Sequence, residues 1–173
     1  MTEDHKVHIE ELTKIGALNI ADLEINRSGH LALGQKRMLY FNFAFWLILT
    51  GFDLIILALF IYFQLVFLKN FTTGIIWSSL FIISAYMCTT NAKPYWKDIQ
   101  NDKPITVSGK IYKHFALGSG VAGGKSQIGY CNIRVGDQTL SISPLIYDHI
   151  IHEEHYRVYF VSNSRKLINI EPL

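Results

Sequence analysis

The chain has 173 residues, a formal charge of +2 and an apolar fraction of 50%. That length holds one modest folded domain beside membrane segments, and so small a charge argues against a nucleic-acid or acidic-substrate partner. Two cysteines, Cys88 and Cys131, fall in unlike contexts, one in an apolar run and one in a strand-like stretch, so neither a disulfide nor a metal knuckle is expected.

Residues 1–37 are polar and lack the apolar core of a cleavable signal peptide. Val7, Ile9, Leu12, Ile15 and Leu18 form a rough helical stripe that Gly16 weakens. Asn26 to Gly29 reads as a turn, and Lys36 and Arg37 stand directly before an apolar run.

Between Met38 and Lys93, Asp53 and Lys69 are the only charged residues. Met38 to Leu68 exceeds the roughly 20 residues that carry a helix across the hydrocarbon core. Tyr40, Phe41, Phe43, Phe45 and Trp46 suit an interface, where amphipathic rings settle. A second run, Gly74 to Cys88, is extended by Thr89 and Thr90. Lipid leaves every backbone group to be paired internally, so a pair of helices is the expected spanning form. Lys36 and Arg37 before the pair, and Lys93 and Lys97 after it, outnumber Lys69 in the connecting loop. The positive-inside bias then predicts a multi-pass protein with both termini cytoplasmic, a bacterial inner membrane being the expected setting. Two glycosylation sequons, at Asn26 and Asn70, are read as chance matches, one cytoplasmic and one tight against the membrane.

Residues 91–103 read as a polar connector broken by Pro94 and Pro104, with Tyr95 and Trp96 as anchors. Beyond it the apolar period becomes two: Ile105, Val107 and Ile111; then Cys131, Ile133 and Val135; then Leu140 and Ile142 after a Gly136-Asp137 turn. Ser143-Pro144 predicts a helix start, with Leu145, Ile146, His149 and Ile150 on one face. Strands are predicted over 156–161 and 166–170. Three strands, a helix and two strands is the element order of an OB-like five-stranded β-barrel, an SH3-like barrel being the alternative. The expected fold class is therefore membrane α+β. Its segments are an N-terminal cytoplasmic stretch 1–37, a helical hairpin 38–90, a connector 91–103 and a cytoplasmic barrel 104–173.

Asp53 is the most informative residue, because a carboxylate in a spanning helix costs about 2.5–3.5 kcal/mol at the bilayer centre. Counting back from a hairpin turn near Phe71 places it opposite Thr89, near the cytoplasmic interface and within a turn of Lys93. A first span over Leu39 to Ile61 instead leaves it deep and in need of a partner from another helix or subunit. The expected role is structural or a contact to a partner subunit. Gly118 to Ser126 resembles a phosphate loop in composition only. Ser119 stands where that motif needs glycine, and strand rather than helix follows. Gly120, Gly123, Gly124 and Lys125 are expected in a hairpin loop able to serve as a binding element. The stretch from Glu24 to Gln35 mimics a calcium loop but lacks the terminal glutamate and carries Arg27. His149, His152 and His155, and the pair His5 and His8, lack the companions of a tetrahedral metal site. No nucleophile–base pattern is visible, so no enzyme activity, cofactor or metal is expected. The expected role is an accessory or assembly subunit whose cytoplasmic barrel docks on another protein. The bilayer and other membrane subunits, or further copies of this chain, are the expected partners. An oligomeric pore or proton path through Asp53 is one alternative, and a small-ligand or metal sensor built from the barrel loop and histidines is another.

Overall fold

A computed structural model describes residues 3–64, 71–117 and 129–173. The chain divides into two compact units, residues 33–101 and the joined segments 1–32 and 102–173.

The unit of residues 33–101 is a pair of helices, α3 (Leu33–Phe63) and α4 (Phe71–Asn101), packed on each other. Each has 31 residues, about 46 Å at 1.5 Å per residue, against a hydrocarbon core of about 30 Å. Both are long and apolar enough to cross a membrane. Their large apolar side chains point outward: Phe52, Ile55 and Leu59 on α3 and Ile75, Ile76 and Met87 on α4 are all more than half exposed. Aromatic stacking ties the pair, with Phe43 on Trp96 (ring centroids 5.2 Å apart) and Phe60 against Trp77 and Phe81. Along α3 and α4 the hydroxyls of Thr50 and Thr89 donate back to the carbonyls of Trp46 and Ala85.

The predicted connector is corrected at this point, because α4 runs unbroken through Pro94 to Asn101. Proline costs one backbone hydrogen bond, to the carbonyl of Thr90. The packing on either side of it, through buried Ala92 and the Trp96 stack, holds the helical path. The break comes instead at Asp102, whose φ of 51° no helix continues.

The second unit is built on five strands: β1 (Pro104–Leu117), β2 (Gly129–Val135), β3 (Gln138–Ile142), β4 (His155–Val161) and β5 (Leu167–Pro172), with helix α5 (Pro144–His149) between β3 and β4. They form an antiparallel open sheet in the order β3-β2-β1-β4-β5. The long β1 serves both halves: Pro104–Lys110 pairs with β4, and Ile111–Leu117 pairs with β2. The two-residue turn of the β2–β3 hairpin has Gly136 at φ 57°, the first turn position, where a positive φ favours glycine. Ser143 caps α5 as the sequence predicts, its hydroxyl accepting from the Ile146 N–H at 3.3 Å. Alternation is met at Ile111, Cys131, Ile133, Val135, Leu140 and Ile142, all buried. It is not met at Ile105, which is exposed, and on the predicted helical face Leu145 is exposed while Ile150 is buried.

The N-terminal segment is part of this unit. Helix α1 (Glu3–Lys14) and helix α2 (Ile20–Arg27) place Leu12, Ala17, Leu18 and Leu23 in the same core as Ile133, Tyr156, Val158 and Ile170. Reading 1–37 as a separate segment from 104–173 therefore differs from the structure, where 1–32 folds with 102–173. The physical reason is area: a small sheet with one apolar face needs a second layer, and the stripe on α1 supplies it. Gly16, at φ 72°, ends α1 with its N–H on the Thr13 carbonyl, while Ala17 and Leu18 return to the Leu12 carbonyl. The glycine is thus a stop, not a weak point inside a helix.

Candidate functional site

Asp53 lies well inside α3, facing α4. The Ser84 hydroxyl donates to Asp53 Oδ2 at 2.8 Å, and Cys88 Sγ lies 3.8 Å from the same oxygen. The sequence count put Thr89 opposite, about one turn too far along α4. The three residues form a small polar clamp between two otherwise apolar helices. Lys93, proposed as its neighbour, is exposed and makes no ion pair among the described residues. Gly120, Gly123, Gly124 and Lys125 lie outside the described residues.

The calcium-like stretch is a helix end and a glycine turn. Asn26, which would face a cation, is buried, and its amide donates to the His30 carbonyl at 3.0 Å. Gly29 takes φ 84° to turn the chain. The histidines serve separate local bonds. His149 Nδ1 donates to the Leu145 carbonyl at 2.8 Å, and His152 Nδ1 accepts from the Lys113 N–H at 3.1 Å. No group of three or more metal-ligating side chains exists among the described residues.

Two polar constellations escaped the sequence reading. The first is Asn169, fully buried in β5. Its carbonyl accepts from the Asn19 N–H at 3.0 Å, and its amide donates to the Asn19 carbonyl at 3.0 Å and Asn26 Oδ1 at 3.4 Å. The neighbouring Ile170 N–H donates to the Ala17 carbonyl at 3.1 Å. At the rim, Glu171 is hydrogen-bonded by Arg27 and by the Tyr159 hydroxyl, and it pairs with Arg157 at 3.5 Å. The hydrogen-bonded Glu171 carboxylate holds the Arg27 guanidinium above its ordinary range. The signal in the sequence is an asparagine within the apolar run Leu167 to Ile170.

The second is Tyr156, whose hydroxyl accepts from the Ile151 N–H at 3.0 Å and bonds His8 Nε2 at 2.8 Å. Burial pushes the Tyr156 phenol up, since its ionised form would lose water. Both constellations hold α1 and α2 to the sheet.

No family model, no curated protein and no solved structure matches this chain. The site must be read from its own residues.

A further group lies on the sheet face turned away from the core. Gly109, Lys110, Tyr112, His114, Arg134 and Gly136 line an open groove of about 500 Å3. A smaller one of about 390 Å3, lined by His8, Glu11, Asp148 and His149 among others, lies between α1 and α5. In that second groove His8 and His149 each commit a ring nitrogen to the protein. Chemically, then, the molecule offers a hydroxyl-capped carboxylate between apolar helices and a basic, aromatic groove on a sheet.

Proposed function

We propose that the protein is a membrane-anchored accessory or assembly subunit, its hairpin crossing the bilayer twice and its sheet unit docking on a neighbouring subunit. The observation that carries the anchor is the outward display of Phe52, Ile55, Leu59, Ile75 and Ile76 along two packed helices. Such a belt is stable only when lipid or protein covers it. Residues 1–32 and 102–173 fold as one unit, so a chain that crosses a bilayer between them must cross an even number of times. With Lys36 and Arg37 near the start of α3 and Lys93 and Lys97 near the end of α4, that unit belongs on the cytoplasmic side.

Docking is supported by Phe115, Leu145 and Ile151, large apolar side chains that stand about half exposed on the sheet unit. The strand path favours an OB-like barrel opened between β3 and β5, since β1 pairs with both β2 and β4. The Ser84 clamp favours a structural role for Asp53, holding the hairpin together. Solubilised gently from its own membrane, the protein should run heavier than one chain with its detergent. The double variant Phe115→Ser, Leu145→Ser should run as a single chain. A wild-type protein that already runs as a lone chain contradicts the docking role.

A further inference from the structure

The groove on the outer sheet face follows from strand alternation. Ile111 on β1 and Cys131, Ile133 and Val135 on β2 point into the core. Their neighbours Lys110, Tyr112, His114, Asn132 and Arg134 therefore share the opposite face. Register sets Tyr112 opposite Arg134 and His114 opposite Asn132. One end of the groove is bounded by Gly109 and Gly136, where a Cβ on Gly109 would lie 3.8 Å from the Gly136 backbone nitrogen and from the core-facing Val135 side chain.

The charges in this groove are unspent. Arg134 Nε donates to the Gly136 carbonyl at 3.2 Å, which fixes the plane of the guanidinium. Its two terminal amino groups make no hydrogen bond or ion pair among the described residues, and Lys110 makes none either. Among the described residues that line the groove, none is acidic. Glu153, a nearby and mostly exposed acid, lies 3.7 Å from the ring of His152, which meets the edge of Tyr112 at 6.0 Å between centroids. A sheet face that gathers a lysine, an oriented arginine fork, an imidazole and a phenol ring, with no carboxylate among its described lining residues, is complementary to a compact anion. A guanidinium fork matches two oxygens of a tetrahedral phosphate, and a lysine adds a third donor. Two permanent cations are too few to follow a nucleic-acid backbone, whose binding needs a long basic track.

We propose that this groove binds a single phosphate group, with Arg134 and Lys110 on its oxygens and Tyr112 and His114 against the group that carries it. The phosphate could be supplied by the headgroup of an anionic phospholipid or by a soluble phosphate ester, and the two are separable by experiment. Full-length protein in phosphatidylcholine nanodiscs would be titrated with inorganic phosphate and, separately, with a short-chain phosphatidic acid. Resonances of Tyr112, His114 and Arg134 would be followed by NMR. Saturable shifts at these residues are expected, and Arg134→Gln or Lys110→Gln should weaken binding at least about tenfold each. Arg134→Lys, which keeps the charge and loses the fork, should fall between wild type and Arg134→Gln. Arg165→Gln, in the turn between β4 and β5, should change nothing. Equal binding of both probes assigns the site to soluble phosphates, and binding of the lipid alone assigns it to the headgroup. Absence of saturable shifts with either probe overturns the proposal. So does binding that both Arg134→Gln and Lys110→Gln leave unchanged, provided each variant keeps the wild-type spectrum elsewhere.

Discussion

The hairpin and the sheet unit solve burial in opposite directions. In the sheet unit apolar residues are inside, and even the buried polar ones, Asn169, Asn26 and Tyr156, have hydrogen-bond partners. In the hairpin the apolar residues face outward, and the polar Asp53, Ser84 and Cys88 meet between the helices. If the hairpin is anchored in lipid as proposed, one chain carries two solvents' rules. The same substitution should therefore have opposite meanings in its two halves.

The largest effect should come from a carboxylate in the sheet core. Val158→Asp buries a charge without a partner and should unfold the sheet unit, at a cost above about 4 kcal/mol. Loss of protease resistance in residues 102–173, with the hairpin still inserted, is the expected reading. Ile55→Asp sharpens the contrast. This residue is mostly exposed, so in water the change would be silent. In a lipid-facing helix it should cost about 2.5–3.5 kcal/mol and reduce the inserted fraction in a membrane-insertion assay. An unchanged inserted fraction would break the comparison.

Asn169→Ala tests the polar seam of the sheet unit. It removes the side chain that bonds the Asn19 N–H and carbonyl and Asn26 Oδ1, and should cost about 1–3 kcal/mol in denaturant unfolding. Tyr156→Phe should cost about 1 kcal/mol for its lost bonds to Ile151 and His8. It should also change the alkaline response. Burial keeps the folded phenol protonated at pH values where the unfolded chain, titrating near about 10, has released its proton. The contribution of Tyr156 is therefore complete below that range and is lost as pH rises through the raised folded value. Wild type should lose stability more steeply than Tyr156→Phe above about pH 10 in a thermal melt series.

The smallest effect belongs to the hairpin clamp. A double-mutant cycle on Asp53→Ala and Ser84→Ala should return a coupling of about 0.6 kcal/mol, a typical value for hydrogen bonds within membranes. A coupling several times larger, with lost flux across vesicles, would favour a transport role for Asp53 instead.

What could be read from the sequence follows the same division. Ile111, then Cys131, Ile133 and Val135, then Leu140 and Ile142 alternate because one face of those strands is buried, so they and the Ser143 cap were legible. β4 was legible instead as a continuous apolar run, Val158 to Val161, buried on both faces. The two apolar runs were legible because, within them, Asp53 is the one charged residue. The join between α1 and the sheet was not, since a stripe such as Leu12 to Leu18 states that a face is covered and not by what. Pro94 misled because local propensity yields to packing along a long helix. The clamp was half visible: Asp53 stood out, but its partner depends on where the hairpin turns. The basic groove was hidden because Lys110 and Arg134 are far apart in sequence and meet only through strand register.

The most direct test of the two-solvent account is sided labelling of single cysteines in a cysteine-free protein, at Lys14, Ile55 and Ser162, in sealed vesicles of known orientation. An impermeant thiol reagent should reach Lys14→Cys and Ser162→Cys from the same face only, and Ile55→Cys from neither. Labelling of Lys14→Cys and Ser162→Cys from opposite faces, or ready labelling of Ile55→Cys by the water-borne reagent, would contradict it.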